Sequence, residues 1–323
     1  MGLPPYGGVG LMLKAFLLIV VGLSGDPELG KTFHKWGTTM AEASERLGVP
    51  KERLAYLVDA PMEGDAGVTG KATREEIGKA LDGFAKQAGP EDLVFIMLIG
   101  HGSYDGRESK FNLPGPDMAA ADFNLVFKRL PTKQIVLVNA SSASGPFIEG
   151  LSAPGRTIVT ATRSGAEHFA TLFGGFFIDA LTSEAADTDK NKRVSVLEAF
   201  NFAKIEVARA YEREGLLATE HALLDDDGDK EGSTSPTTTG TDPKNKDGKV
   251  AAVLSLGVAG EDGLPSDPKL RALHVERRDL ERRVESLRLL KESMDPAKYS
   301  SELEKLVTAI ALKTREIRAA EGK

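Results

Sequence analysis

Two short stretches hold the residues best placed to do chemistry. LVFIMLIG, residues 93–100, runs into His101-Gly102, and QIVLVNA, residues 134–140, runs into Ser141-Ser142-Ala143-Ser144-Gly145. A histidine and a small hydroxyl at neighbouring strand ends supply a base and a nucleophile. The tight turns at Gly102 and Ser142 offer backbone N–H groups to a developing oxyanion. The chemistry implied is attack of Ser142 on an amide or ester carbonyl while His101 handles the proton. A serine hydroxyl needs more help than a thiol, whose pKa near 8.5 makes a thiolate easy to form; it requires a base in contact and normally a third group orienting that base. Asp105 is a candidate orienter, although an SYDG turn explains an aspartate equally well.

Ligands of open α/β sheets bind beyond the carboxyl ends of the strands, so the elements that set these ends matter most. Apolar runs AFLLIVVG, RLAYLVD, LVFIMLIG, QIVLVNA and RTIVTAT alternate with amphipathic segments, the pattern of a mostly parallel sheet covered on both faces. Helices are expected at Lys31 to Leu47, at Thr73 to Lys86 with a Thr73/Glu76 capping box, and at Ala119 to Arg129. Two more are expected at Ala166 to Thr182 and Val194 to Glu214. The apolar run in LMLKAFLLIVVGLSG, residues 11–25, reads as a buried strand from Ala15 to Gly22. That reading makes the protein cytoplasmic; a signal peptide over the same run would make it exported. The run is too short to span a bilayer as a helix.

The chain has 323 residues, 41% of them hydrophobic, with 34 glycines and a net charge of −7. That is long enough for a proper core, too glycine-rich for an all-helical fold, and electrostatically unsuited to nucleic acid as the main ligand. With no cysteine, disulfides, thiolate metal sites and cysteine nucleophiles are all excluded. No organic cofactor is expected.

The order strand, His-Gly, helix, strand, small-small-x-Ser-Gly resembles the caspase and legumain group of cysteine peptidases, whose second motif normally reads Ala-Cys-x-Ser-Gly. Over about residues 15–257 the resemblance implies a caspase-like three-layer α/β sandwich and a cleft for a peptide or protein ligand. It puts Ser142 where the family keeps its cysteine. TATRSGAEHF, residues 160–169, is similar to the legumain segment lining the pocket for the substrate residue before the scissile bond, with Glu167 as its acid and Arg163 as a second candidate. An acid in the first turn of a helix is the simpler account of Glu167. Three readings of Ser142 stand: nucleophile of a weak or unusual serine peptidase, silenced position in a relative that still grips peptides, or a substitution for a natural cysteine. A weak or inactive peptidase-like protein is the preferred reading.

ADTDKNKRVSVLEAF, residues 186–200, carries a different function. Asp187, Asp189, Asn191, Ser195 and Glu198 fall at positions one, three, five, nine and twelve of an EF-hand calcium loop, with Arg193 offering its carbonyl at seven. The sixth place holds Lys192 instead of glycine, and a polar helix connection explains the same residues. The competing functional class is therefore a calcium-responsive, non-catalytic interaction scaffold. Glu220-His221 with the acidic run Asp225, Asp226, Asp227 and Asp229 suggests another metal site, but a lone histidine beside a flexible acidic loop reads more simply as solvated surface; His34, His168 and His274 show no partner pattern.

Residues 225–249 are polar and lack a periodic apolar face, which predicts a flexible loop within a domain spanning 12–260. VAAVLSLG, residues 250–257, would be the last strand. From 264 to 323 the pattern becomes heptad-like: Leu273, Leu280 and Leu287, then Leu303, Ile310 and Ile317, interrupted by Met294-Asp295-Pro296. This predicts a coiled-coil-like antiparallel hairpin able to pack on its own domain, self-associate or take a partner helix.

Overall fold

A computed structural model describes residues 14–239, 246–256, 265, 267–289 and 294–321. The chain divides into one unit of residues 14–258 and another of 1–13 with 259–323. The expected boundary at 260–264 lies outside the described residues.

In the larger unit the elements follow in the order β1 (Ala15–Val21), α1 (Pro27–Ala43), β2 (Leu54–Val58), β3 (Gly70–Lys71), α2 (Arg74–Ala85), β4 (Leu93–Ile99), β5 (Gly102–Tyr104), β6 (Ser109–Phe111) and β7 (Met118–Ala119). Then come α3 (Ala120–Phe127), β8 (Gln134–Asn139), α4 (Phe147–Leu151), β9 (Arg156–Thr160), α5 (Phe173–Thr182), α6 (Val196–Arg213) and β10 (Leu223–Asp225). The main sheet runs β10-β9-β8-β4-β1-β2-β3. All its pairings are parallel except the antiparallel edge pair β10–β9.

Alternation along β1 explains the layers. Leu17, Ile19 and Val21 join Phe33 and Met40 of α1 with Phe173, Phe177 and Phe200 in one core. Phe16, Leu18 and Val20 join Ile77 and Leu81 of α2 with Phe123 and Phe147 in the other. Helices thus cover both faces, giving the α/β three-layer arrangement that the alternating sequence predicts. Asp26 caps α1 by accepting from Glu28 and Leu29 N–H, and Thr73 caps α2 by accepting from Glu76 N–H at 3.3 Å. Each such cap stabilises by about 1 kcal/mol.

Several local expectations give way to tertiary contacts. The fourth expected helix begins at Phe173 and not at Ala166, because the carboxylate of Glu220 accepts from Leu172 and Phe173 N–H at 2.8 and 3.0 Å and fixes the start there. VAAVLSLG forms no strand over its described residues: they are mainly turns, with a single bridge between Ser195 and Ser255. The edge strand is β10 instead, three residues whose neighbours gave no periodic signal. His34 does have partners, its two ring nitrogens lying 2.8 Å from Asp59 and 2.9 Å from Asp65.

The polar segment after β10 is pinned where it is described. Asp225, Asp226 and Asp247 are buried, against the expectation of solvated surface. Asp226 spends its two oxygens on Gly248 and Ala251 N–H at 3.0 and 2.7 Å. Burial pushes the Asp247 carboxyl up to about 7. No helix among the described residues is long and apolar enough to cross a membrane.

The smaller unit contains α7 (Pro268–Leu289) and α8 (Pro296–Ala320). Val284 and Leu287 bury against Leu306, with Leu280, Leu303 and Ile310 packed around them. Asp295 caps α8 by accepting from Ala297 and Lys298 N–H, which is how the Met-Asp-Pro break restarts a helix. Lys313 crosses to Glu276 at 2.6 Å.

Candidate active site

His101 is fixed just beyond β4 by its own main chain. Its N–H donates to Leu23 O and its carbonyl accepts from Asn112 N–H, both at 3.0 Å. The ring meets Phe33 of α1 edge-on, with centroids 5.9 Å apart. Partial burial holds the imidazole below its usual 6.5, favouring the neutral ring that can accept a proton.

Strand β8 pairs with β4, so Ser142, three residues beyond Asn139, arrives beside His101. Ser142 Oγ lies 3.1 Å from His101 Nδ1 and accepts from Gly102 N–H at 3.1 Å. It also lies 3.2 Å from Gly102 O, to which it donates. With Nδ1 unprotonated, the single hydroxyl proton has two competing acceptors. A Cβ on Gly102 would stand 2.3 Å from Ser142 O, so the approach of the two turns requires glycine. Ala143, next to Ser142, takes φ +52°, a left-handed conformation costing an L residue about 1 kcal/mol. Its N–H donates to Glu167 O at 2.7 Å, which docks the 163–167 loop on the serine turn.

No carboxylate among the described residues contacts the His101 ring. Asp105 instead closes the β5–β6 turn, its Oδ1 accepting from Arg107 and Glu108 N–H at 2.9 Å. The candidate orienter is thus the turn residue that SYDG also suggested, and among the described residues the Ser-His pair stands without a third member.

The two candidate pocket residues do come together, but on each other. Glu167 accepts from Arg163 N–H at 3.1 Å, and Arg163 Nε lies 3.3 Å from its other oxygen. His221 adds its N–H at 3.1 Å and its ring Nδ1 at 2.7 Å. Arg163 and His221 also line a cavity of about 330 Å³ with Phe173, Lys204 and Glu220. Burial pushes the Glu220 carboxyl above its ordinary value and lowers Lys204. On sequence Glu220-His221 reads as solvated surface, whereas Glu220 is 4% exposed, and nothing there singles out Tyr104, whose ring lies against Gly165 with 43% of the residue exposed. The Glu220-His221 pair just before the edge strand was the signal, but nothing in its spacing pointed to Glu167.

The calcium-type loop also assembles. One oxygen from each of Asp187, Asp189 and Glu198 lies within 4.8 Å of the others. Asn191 N–H donates to Asp187 and Asp189, and its Oδ1 accepts from Arg193 N–H at 2.9 Å. Ser195 caps α6, exchanging bonds with Glu198. Lys192 takes φ +65° at the sixth place, the left-handed conformation for which calcium loops use glycine. The oxygen-only donor set suits a hard cation.

The Peptidase C13 family matches residues 69–223, a stretch containing both His101 and Ser142. No curated protein matches the chain. Among solved structures, the chain is similar to the crystal structure of protein GSU0716 from Geobacter sulfurreducens, at 13% identity and a TM-score of 0.42, covering 66% of this chain and 92% of that one. Over that stretch, just under half of the chain, the protein is similar to the legumain-type peptidases.

Proposed function

We propose that this peptidase-related chain holds peptides in a legumain-type cleft and cleaves them weakly or not at all, because Ser142 stands in the place of the nucleophilic cysteine. The observation that carries the reading is the hydroxyl itself. Ser142 Oγ lies within hydrogen-bond reach of both His101 Nδ1 and Gly102 O, and it occupies the Gly102 N–H that an oxyanion would need. With no third group behind the imidazole among the described residues, little drives deprotonation of an alcohol. A cysteine at this position would form a thiolate far more readily. Arg163 and Glu167, docked against Ala143, are the residues proposed to line the cleft beside the scissile bond.

The test is a peptide-library cleavage profile of the protein, His101→Ala, Ser142→Cys and Ser142→Cys/His101→Ala, with new termini read by mass spectrometry. Cleavage by Ser142→Cys alone supports an intact seat silenced at one atom. Cleavage by the unaltered protein, lost in His101→Ala, would replace the reading with a competent serine endopeptidase. Silence from every protein would remove the peptidase cleft altogether.

A second reading rests on Lys192, whose left-handed backbone satisfies the sixth place of the calcium loop without glycine. In it Asp187, Asp189, Asn191, the Arg193 carbonyl and Glu198 hold calcium, directly or, for Ser195, through water, and the protein acts as a calcium-responsive scaffold. A calcium-dependent rise in melting temperature that is smaller in Asp187→Ala supports it; an unchanged rise in that variant rules the loop out.

A further inference from the structure

The loop after β10 sets three carboxylates against one another. Asp225 and Asp227 come from one end of the segment and Asp247 from the other, yet one oxygen of each lies within 4.8 Å of the others. Asp225 is fully buried and Asp247 is 4% exposed. No lysine or arginine among the described residues forms an ion pair with any of the three. Moreover, Asp225 Oδ2 is buried with no hydrogen-bond partner, while its Oδ1 accepts from Gly228 N–H at 3.1 Å. A carboxylate oxygen sealed from water without a donor is costly, and carboxylates brought this close repel when ionised.

We propose that Asp225, Asp227 and Asp247 form a binding site for a hard divalent cation of the calcium class. The donors are all oxygens, with no histidine among the converging ligands, which disfavours zinc and suits calcium. Asp225, Asp227 and Asp229 alternate, and Lys230 takes φ +73°, so the segment turns as a cation-wrapping loop does. Asp226 is not a ligand, since both of its oxygens are spent on the 248–251 backbone. It aligns the two halves of the site. The bound ion would tie the edge strand to the segment that covers the start of α6, where Leu254 O accepts from Val196 N–H at 2.8 Å and Ala251 O from Leu197 N–H at 3.1 Å. The site is separate from the 187–198 loop and does not depend on the reading of that loop.

Isothermal titration of the full chain with calcium chloride, and separately with magnesium chloride, tests the site in the unaltered protein and in Asp187→Ala, Asp225→Asn, Asp247→Asn and Asp227→Asn. The expected result is a calcium site retained in Asp187→Ala and weakened by about tenfold or more in each of the other three. Asp225→Asn should also melt no lower than the unaltered protein in chelator, because removing one charge relieves repulsion. Asp227 is exposed, so its variant decides the matter if a buried substitution impairs folding by circular dichroism. Calcium binding that Asp187→Ala abolishes entirely, or that Asp227→Asn leaves unchanged, would overturn the proposal. So would a magnesium affinity equal to or above that for calcium, which would reassign the ion class.

Discussion

The serine turn and the acid loop both bury polar side chains at the ends of strands in the same sheet, and they solve the problem in opposite ways. Ser142 is 1% exposed, yet it is neutral and reciprocally bonded to Gly102 and His101. Asp225 is buried as a carboxylate with one oxygen unpartnered. Neutral groups that satisfy one another can be buried at little net cost, whereas buried like charges demand a counter-charge. The comparison separates a site complete in itself from one that needs a ligand.

The sharpest way to break the contrast is Asp226→Ala, which orphans the N–H groups of Gly248 and Ala251; we expect a loss of about 3 kcal/mol or more in urea unfolding. Glu220→Ala, which strips Leu172 and Phe173 of their acceptor at the start of α5, should cost about 2 kcal/mol by the same measurement. Ser142→Ala is expected to cost about 1 kcal/mol or less, because His101 and Gly102 are only partly buried and water can replace the hydroxyl. An equal or larger loss there would mean that the serine turn, too, is strained by burial. Ala143→Gly should gain about 0.5 kcal/mol by relieving the +52° backbone, offset in part by the freer unfolded chain.

The smallest effect is in pH. His101 is held below 6.5, so the imidazole remains neutral on acidification until that lowered value is reached. Hydrolysis by Ser142→Cys should therefore keep its acid limb below pH 6.5 in kcat/KM profiles. For the same reason the stability contributed by the neutral ring is lost only as pH falls from 6.5 through the lowered pKa. A limb above 6.5 would show that a carboxylate reaches the ring when the protein acts.

Much of this was legible in advance. The five apolar runs became β1, β2, β4, β8 and β9 because buried parallel strands must be apolar on both faces, and the Thr73 cap was written in its spacing to Glu76. The position of His101 and Ser142 at adjacent strand ends followed from strand boundaries alone. The helix at 166–172 failed because the Glu220 carboxylate, far along the chain, fixes the start of α5 at Phe173. Asp105 was ambiguous for a local reason: the same turn serves either role, and only its contacts choose.

By itself, then, the sequence determined the alternation of strands and helices, the candidate pair at two strand ends and the heptad-like spacing of the last two helices. Each is a local or periodic property, carried by residues a few positions apart. Tertiary structure alone decided that no acid among the described residues backs His101, that Glu167 is shared between Arg163 and His221, and that Asp225 and Asp247 meet in the interior. Those facts depend on segments tens of residues apart being brought within hydrogen-bond reach, and burial converts ordinary surface residue types into charges that must find a partner.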